Sequence, residues 1–395
     1  MKKILFVDTG REYGGGTKSF LYLLRGLAAQ QKYELCAFFE TDYETGGRKI
    51  SQIIEEAGAK FIKFEPKKQP SKLKKELLRA LGGQILAKYL YKKDCDYALC
   101  LLRQVRPDVV HLNNHFSTNL AYIAAANALN IAVVQHLRKN SAVEPFKLEI
   151  LKRLKFTPVC VSNATYEFYA AQIKMPKNVV YNPVKAPVLK QEKSEGSENL
   201  SPSQANLKDS GDDKSAALKA KFDAKKINIV MPANFLTLKG HELVFEALAG
   251  LKRSDIKVYF AGGGGLKAGA KAKFDALIKS GKAEYLGFVS KMDEIYAACD
   301  YVLGFSSDEG LPRVVIEALG CGLGVVYSDI AVIREIYKIS SKKQDFFIVQ
   351  RSSDALLACF ESLRKPSSKN PDDAVIKAFS IENYLRGIDR IYSEL

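Results

Sequence analysis

Residues 300–322 read DYVLGFSSDEGLPRVVIEALGCG, and this segment is the clearest indication of the fold. The run at 301–305 is short and apolar, which is typical of a buried strand. A polar turn follows, and Pro312 suits the first position of a helix, where the missing N–H of proline costs no hydrogen bond. The stretch therefore predicts a strand, a turn and a helix in succession, which is the repeating unit of a parallel α/β sheet.

The same alternation of short apolar runs with amphipathic stretches continues on both sides of this segment. In the first half we predict strands at 4–7, 35–39, 60–64, 109–112, 131–135 and 159–162. In the second half we predict strands at 227–231, 257–261, 284–286, 301–305, 324–327 and 346–349. Because strand and helix repeat in this order, we expect parallel sheets with right-handed crossovers. The sequence predicts an α/β protein with two Rossmann-like, doubly wound parallel-sheet domains.

A polar, charged segment at 185–222 separates the two series of strands. It contains few large apolar side chains, so its burial would not offset the entropy cost of ordering the chain. We therefore predict a first domain at 1–184, a flexible linker at 185–222 and a second domain at 223–375. The length of 395 residues fits two domains of ordinary size.

A net charge of +16 is the strongest signal in the composition. Such a surface attracts nucleic acid, an anionic membrane or a phosphorylated substrate, and composition does not choose among these three. The seven cysteines are scattered without a CxxC pair, which indicates reduced core cysteines of a cytoplasmic protein. No apolar run approaches the roughly 18 residues of a membrane span, and the first apolar run is too short for a signal peptide.

The stretch Lys67–Lys93 combines many basic side chains with apolar ones. Leu73, Leu77, Leu81 and Ile85 recur at helical spacing, with lysines around them. One interpretation is a basic amphipathic element that lies on an anionic membrane surface. The other is a surface helix whose apolar stripe packs into the core while its lysines face water. The sequence leaves both interpretations open.

The turn inside residues 300–322 has the properties of an anion site. Backbone N–H groups at Leu311, Arg313 and Val314 lie at the predicted helix N-terminus, where they and the helix dipole favour a negative ligand. This position is at the carboxyl end of a parallel strand, where α/β sheets bind ligands. Glu309 stands in the turn before the site, and Glu317 lies on the order of 8 Å along the helix. Two carboxylates on either side of an anion site can each accept hydrogen bonds from hydroxyls, one of a sugar and one of a ribose.

This arrangement resembles the E-x7-E signature of retaining GT-B glycosyltransferases of the family 4-like, group 1 type. Glu309 and Glu317 have the spacing of the signature, with Gly-Leu-Pro and Glu-Ala-Leu in matching places. The segments 300–307 and 324–329 resemble the strands before and after it, and 287–289 resembles the loop that meets the nucleobase. The resemblance covers nearly the whole chain except the predicted linker.

The resemblance implies two Rossmann-like domains that face a cleft, and a C-terminal helix, here at 376–395, that crosses back to the first domain. It implies that Glu317 holds the ribose hydroxyls and that Glu309 contacts hydroxyls of the transferred sugar. Lys239 matches the family lysine that grips the donor diphosphate. Asn234 occupies the position of the family arginine and brings no charge, so another cation is expected to stabilise the leaving group.

Arg313 and Arg138 are the candidates for that cation. In the first domain, Gly14–Thr17 follows the first strand and opens a helix, which suits a close approach of backbone to a ligand. By the resemblance this turn lies across the cleft from the donor phosphate and near the acceptor, with Lys18 where an acidic residue is common. His136 falls where the family often has a cleft histidine near C6 of the sugar.

The hypothesis from the sequence is a retaining transfer of a hexose or N-acetylhexosamine from a nucleoside-diphosphate sugar to a glycan acceptor. The predicted catalytic residues are Glu309, Lys239 and His136. The predicted donor-binding residues are Glu317, Asn234, Gly310, Leu311, Pro312, Arg313, Phe288, Val289, Gly15 and Gly16. The predicted acceptor-side residues are Thr17, Lys18 and Arg138.

No cofactor or metal is expected, because no Asp, Glu and His set has metal-ligand spacing and the family generally needs none. The basic stretch and the absence of a span suggest a lipid-linked or lipopolysaccharide acceptor, with the protein at the inner face of the cell membrane. The alternatives are a sugar-nucleotide epimerase or a phosphorylase on the same architecture, and a nucleic-acid-binding protein. The sequence has no RNP-like, helix-turn-helix or zinc-finger pattern, so we expect no nucleic-acid partner.

Overall fold

The computed structural model describes residues 1–11, 13–184, 222–289 and 291–395. Except for Phe222, the predicted linker lies outside the described residues. The chain divides into two compact units, one formed by Met1–Pro183 with Phe379–Leu395 and the other by Val184–Ala378. The second unit thus ends at Ala378, beyond the predicted boundary at 375.

The first unit is built on a six-stranded parallel sheet in the order β5-β2-β1-β6-β7-β8. Its strands are β1 (Lys2–Asp8), β2 (Tyr33–Phe39), β3 (Glu44–Thr45), β4 (Arg48–Lys49), β5 (Lys60–Phe61), β6 (Val109–Leu112), β7 (Ala132–Leu137) and β8 (Thr157–Cys160), of which β3 and β4 form a separate antiparallel pair. Its helices are α1 (Gly15–Gln30), α2 (Ile50–Glu56), α3 (Lys72–Ala80), α4 (Gly83–Val105), α5 (Phe116–Ala128), α6 (Pro145–Leu151), α7 (Asn163–Ala170) and α15 (Ile381–Ser393).

The second unit repeats this plan with the order β11-β10-β9-β12-β13-β14, again all parallel. Its strands are β9 (Ile227–Pro232), β10 (Ile256–Ala261), β11 (Ala283–Gly287), β12 (Tyr301–Gly304), β13 (Gly324–Ser328) and β14 (Phe346–Val349). Its helices are α8 (His241–Gly250), α9 (Ala268–Lys279), α10 (Met292–Ala298), α11 (Arg313–Gly320), α12 (Ala331–Ile339), α13 (Ser353–Ser362) and α14 (Asp373–Ala378), with 3₁₀ turns at Thr237–Lys239 and Lys343–Asp345. In each unit the strand order reverses beside the first strand, which is the doubly wound topology.

Each predicted strand overlaps an observed one, and the predicted fold class is confirmed. The predicted strand at 60–64 is shorter, because β2 pairs with this segment only at Cys36 and Ala37. Beyond Phe61 a single further hydrogen bond joins the N–H of Ile62 to Ala37 O at 2.8 Å. The chain then leaves the sheet.

Helix α15 packs on the first unit through an apolar face. Tyr384, Ile388 and Tyr392 are buried in the same cluster as α1 and β1. A side chain at Gly26 would place its Cβ only 2.4 Å from Leu385, so a glycine is needed in α1 where α15 crosses it. Tyr33 adds a hydrogen bond of 2.6 Å to Asp389 at the edge of this contact.

Helix α3 has no buried residue. Leu73, Leu77, Leu81 and Ile85 are 79%, 63%, 62% and 46% exposed, respectively. The interpretation in which this apolar stripe packs into the core is therefore wrong, because the hairpin of α3 and α4 carries the stripe on its outer surface. Among the described residues, no helix is long and apolar enough to cross a membrane.

The cysteines are all free thiols. Cys36, Cys160, Cys299 and Cys321 are buried, as the prediction of core cysteines requires. Cys100 does not follow the prediction, because it lies on the solvent face of α4 and is exposed.

Candidate functional site

The loops after β9 and β12 lie at the point where the strand order of the second unit reverses. These two strands are neighbours in the sheet, and both are parallel, so their carboxyl ends meet at one edge. Ligands of doubly wound sheets bind at this edge. The segments 233–240 and 305–312, which contain the predicted residues Asn234, Lys239 and 309–312, form this part of the molecule.

Glu309 and Lys239 form an ion pair at this edge, through the Lys239 ammonium and Glu309 Oε1. The same carboxylate oxygen accepts hydrogen bonds from Ser306 Oγ at 2.7 Å and from the Tyr327 hydroxyl at 3.4 Å. Both members of the pair are largely shielded from water, with side-chain exposures of 25% for Lys239 and 17% for Glu309. The sequence assigned Glu309 to the sugar of the donor and Lys239 to its diphosphate, and the structure places these two side chains in contact.

Gly240 places Lys239 over the end of β12. Its φ is +71°, which is the left-handed region, and a Cβ there would lie 2.3 Å from Phe305 O. Only glycine allows this close backbone approach. A backbone hydrogen bond of 2.8 Å from Ser307 N to Leu238 O joins the same two loops.

Glu317 faces the start of its own helix. Its Oε1 lies 3.4 Å from an Arg313 guanidinium nitrogen, and its Oε2 accepts from the Tyr296 hydroxyl at 3.4 Å. The sequence predicted Pro312 as the first helical position, but the helix begins at Arg313 and Pro312 is its N-cap. Its ψ of 93° is not helical, which accounts for the difference. Gly310, Leu311 and Pro312 are buried in the turn.

Asn234 has a structural partner that an arginine could not bind. Its Oδ1 accepts a hydrogen bond of 2.9 Å from the N–H of Gly263, and Gly263 O accepts one from Phe235 N at the same distance. At Gly262, a Cβ would lie 2.2 Å from Ala233 O. The two loops are therefore joined by an acceptor on the side chain at position 234, and arginine has only donors.

The loop after β11 exposes an aromatic ring. Phe288 is 81% exposed, and Val289 beside it is half-buried. A large apolar ring in water is available to stack on a flat ligand.

In the first unit, the glycine turn lies next to polar side chains from neighbouring strand ends. Helix α1 begins at Gly15, and a Cβ at Gly16 would lie 3.5 Å from Arg138 and 3.8 Å from Asn114. Asp8 at the end of β1 accepts hydrogen bonds from Asn114 at 2.9 Å and from Asn113 at 2.6 Å. This network ties the ends of β1 and β6 together beneath the turn.

Arg138 is engaged on all sides by the first unit. Its guanidinium donates to Asn113 and Asn182, to the Tyr384 hydroxyl at 2.9 Å and to His136 Nδ1 at 3.3 Å. All three guanidinium nitrogens of Arg138 therefore have hydrogen-bond partners within the first unit. This arrangement argues against Arg138 as the cation that replaces the missing family arginine.

His136 is fully buried, and its Nε2 has no hydrogen-bond partner among the described residues. Its Nδ1 lies 3.2 Å from His111 Nε2, and His111 Nδ1 lies 2.6 Å from the Tyr392 hydroxyl. Burial, and then the charge of Arg138, hold the pKa of His136 well below its usual range. The same two causes lower the pKa of His111 to about 3.

The two remaining acceptor-side residues lie in different environments. Thr17 is buried, and its hydroxyl oxygen accepts from the Tyr43 hydroxyl at 3.3 Å, so it faces the core. Lys18 is exposed. Only Lys18 of these two has a side chain in water.

Sequence reasoning missed several residues that shape the candidate region of each unit, namely Asp8, Asn113 and Asn114 in the first unit and Ser306, Tyr327 and Arg351 in the second. Asn114 has a φ of +90°, an uncommon value for a residue with a side chain, but no sequence motif marks it. The Arg351 Nε donates to Phe305 O at 3.1 Å, and its position just after β14 was the available signal. Within the described ranges, no group of three or more His, Cys, Asp and Glu side chains could hold a metal ion.

Comparisons with known proteins agree with the fold of the chain. Residues 213–378 match the family model described as Glycosyl transferases group 1. A search of curated proteins finds no significant sequence match.

Solved structures share the fold over the whole chain. Anabaena Alr3699/HepE, solved with UDP, is 17% identical with a TM-score of 0.68, and 100% of each chain is covered. A glycosyltransferase from Rickettsia africae ESF-5 is 17% identical with a TM-score of 0.73, and the match covers 100% of this chain and 98% of that one. The lipopolysaccharide outer core galactosyltransferase WaaB is 14% identical with a TM-score of 0.69, with 100% of each chain covered. The second unit is therefore a glycosyl transferases group 1 domain, and the chain is a glycosyltransferase with the GT-B fold.

Proposed function

We propose that this glycosyltransferase moves a hexose or an N-acetylhexosamine, with retention of configuration, from a nucleoside-diphosphate sugar to a glycan acceptor. The observation that carries the proposal is the ion pair of Lys239 and Glu309, held at the entrance to α11 with Glu317 one turn inside that helix. Anabaena Alr3699/HepE, which has the same fold, has been solved with UDP-glucose. That likeness supports a nucleotide-sugar donor.

The charges of the second unit suit a diphosphate. A lysine ammonium has three donors, so Lys239 can keep its bond to Glu309 and still donate to a phosphate oxygen. The N-terminus of α11 adds backbone N–H groups and a positive dipole end. Glu309 and Glu317 then accept hydrogen bonds from sugar and ribose hydroxyls, and the exposed ring of Phe288 stacks on the base.

The reaction needs no nucleophile from the protein. The acceptor hydroxyl attacks C1 of the sugar from the face of the leaving group while the bond from C1 to the phosphate oxygen breaks. A donor phosphate oxygen takes the proton of that hydroxyl. Lys239 and the start of α11 stabilise the negative charge that develops on the diphosphate.

The acceptor is proposed to bind the first unit. A cavity of about 1220 Å³ opens there, walled by residues 63–70 and by α4. Its lining includes Glu40 and Asp94, both of which accept from the Lys67 ammonium, and the ring of Tyr97. Carboxylates and an aromatic ring are groups that hydrogen-bond to sugar hydroxyls and pack against sugar rings.

The test is release of nucleoside diphosphate from a panel of UDP-, GDP- and ADP-sugars. We expect slow release from one donor, and a loss of roughly 100- to 1000-fold in Lys239→Met, the magnitude typical of one preorganised donor to a developing charge. Glu309→Gln keeps the shape of the side chain and is expected to lose activity as well. Lys271→Met is the matched control, since Lys271 is an exposed lysine of the same unit that pairs with Asp275.

Two outcomes of this assay contradict the proposal. One is the absence of release and of any donor-dependent thermal shift across the panel. The other is equal activity in the wild type and Lys239→Met. A product of inverted configuration would contradict retention alone.

We further propose that the protein acts at the cytoplasmic face of a membrane, on a lipid-linked or lipopolysaccharide-type acceptor. The exposed stripe of α3 and α4 supports this proposal, because basic side chains flank it and the chain carries a net charge of +16. Exposed apolar side chains among lysines suit the interface of an anionic bilayer.

We expect the protein to bind vesicles that contain phosphatidylglycerol, to bind them more weakly at higher salt, and to bind neutral phosphatidylcholine vesicles little. Equal binding to the two vesicle types would contradict the electrostatic part of this proposal.

A further inference from the structure

The hydrogen bonds around His136 determine which of its ring nitrogens carries a proton. Arg138 approaches His136 Nδ1 at 3.3 Å, and a guanidinium has only donors. His136 Nδ1 is therefore the acceptor and carries no hydrogen. In a neutral ring the proton must then lie on Nε2.

The tautomer of His111 follows from that of His136. Its Nε2 lies 3.2 Å from the bare Nδ1 of His136, so His111 Nε2 must be the donor of this bond. His111 Nδ1 is then bare and accepts from the Tyr392 hydroxyl at 2.6 Å. Donors thus point in one direction, from Tyr392 on α15 through His111 to His136.

Both rings are neutral at physiological pH. Each is fully buried, and burial together with the charge of Arg138 lowers the pKa of both. The titratable or charged groups that face His136 among the described residues are Arg138 on its own strand, His111 on β6 and Tyr384 on α15. None of these groups is an acid that would favour an imidazolium.

The remaining N–H of His136 has no partner. Nε2 is completely buried, yet no atom of the described residues accepts its proton. A buried donor without a partner is uncommon in folded proteins, and a ligand is one way to satisfy it. The ring is held from the other side by Arg138, His111 and Tyr384, so the direction of this N–H is set by the protein.

We propose that Arg138 is a positioning residue that holds His136 as the neutral Nε2–H tautomer, so that His136 serves as a fixed hydrogen-bond donor to a substrate oxygen and does not transfer protons. The assignment of the bound oxygen to a substrate of glycosyl transfer rests on the proposed function. The tautomer does not rest on it, because it follows from the contacts of the first unit alone.

The direct test is ¹⁵N NMR of the full chain labelled at histidine. The chain has four histidines, and the His136→Gln variant assigns the signals of His136 by their loss. We expect the wild-type His136 to show a protonated Nε2, a bare Nδ1 and no titration between pH 5 and pH 8. A protonated Nδ1, or an imidazolium at pH 7, would overturn the proposal. This measurement does not depend on activity or on the folding of an Arg138 variant.

Enzyme assays then test the role in transfer. Gln at position 136 can place an amide N–H near the position of Nε2, whereas Ala cannot. We expect His136→Gln to keep several-fold more activity than His136→Ala, and the pH profile of the wild type to lack a limb from His136. Equal losses in the two variants, or a wild-type limb between pH 5 and pH 8 that His136→Gln removes, would show proton transfer instead.

Arg138→Lys and Arg138→Met test the positioning residue. With the Arg138 charge and donor removed, we expect His136 in Arg138→Met to titrate at a higher pH in NMR, and the turnover to become pH-dependent over the same range. Lysine keeps the charge and is expected to restore part of the wild-type behaviour. An unchanged His136 spectrum in a folded Arg138→Met protein would overturn the role of Arg138. If the wild-type tautomer is as expected while no donor is turned over, the proposed function fails and the tautomer assignment stands.

Discussion

The exposed stripe on α3 gives a quantitative prediction for membrane binding. Leu73 and Leu77 are 79% and 63% exposed, so most of each side chain is available to enter a bilayer interface. Full burial of a leucine contributes about 1.5–3 kcal/mol. Scaled by these exposures, the two side chains together contribute about 2–4 kcal/mol. Since 1.4 kcal/mol is tenfold in an equilibrium constant, the double variant Leu73→Gln/Leu77→Gln should bind vesicles roughly 30- to 1000-fold more weakly.

Glutamine is chosen because its helix propensity is close to that of leucine. Helix α3 has no buried residue, so the substitutions should leave the melting temperature nearly unchanged. The assay is sedimentation with vesicles that contain phosphatidylglycerol, at fixed salt and a series of lipid concentrations. Ile278→Gln is the matched control, because Ile278 is an apolar side chain of the second unit that is 38% exposed.

Three results would refute this reasoning. The double variant would bind as tightly as the wild type if the stripe does not enter the bilayer. The control would lose as much affinity if exposed apolar area anywhere on the chain drives binding. A large drop in melting temperature would show that the stripe is packed in solution.

Two further predictions concern stability. Gly240→Ala should lower the free energy of unfolding by at least about 1–2 kcal/mol, which is the cost of left-handed backbone for a residue with a Cβ, and the new Cβ would also lie 2.3 Å from Phe305 O. Gly265→Ala is the control, because there is open space around Gly265, and it should change the urea midpoint little. Equal urea midpoints for the two variants would contradict the requirement for glycine at position 240. Acid should also destabilise the protein, because the pKa of His111 is about 3 when folded and near 6.5 when unfolded, so stability is lost as pH falls below 6.5. At pH 5 the loss of stability from the His111 ring reaches about 2 kcal/mol. His111→Gln should therefore weaken the pH dependence of urea unfolding between pH 7 and pH 5. The same pH dependence in the wild type and in His111→Gln would contradict this prediction.

The fold could be predicted because the core strands are short apolar runs with polar flanks. The ends of the strands were less certain, and β7 shows the reason. The sequence predicts that this strand stops at 135, yet it continues to Leu137. Gln135 and His136 are polar, which indicates the end of a buried strand, but both are buried because Asn119 and His111 form hydrogen bonds with them. A polar residue signals the end of a strand only when no other part of the chain can satisfy it.

The candidate site could be predicted only where its residues are close in sequence. Glu309 lies in a turn and Glu317 in the helix that directly follows it, so their spacing in the sequence determines how far apart they lie. The role of Arg138 could not be found in this way. Its partners Asn182 and Tyr384 are 44 and 246 residues away, and one of them belongs to the C-terminal helix. Contacts at such separations leave no local pattern in the sequence.

The absence of charge at Asn234 acquires a physical meaning from these contacts. Its side-chain oxygen accepts from the Gly263 N–H, and an arginine there would leave that N–H to find another acceptor. Of the two cations that could have replaced the missing charge, Arg138 is held by the first unit and Arg313 lies against Glu317. The proposed stabilisation of the leaving group therefore depends mainly on Lys239 and on the backbone at the start of α11. The position of the Lys239 ammonium is therefore critical for such a site. Two features fix that position, namely the left-handed backbone of Gly240, with a φ of +71°, and the ion pair with Glu309.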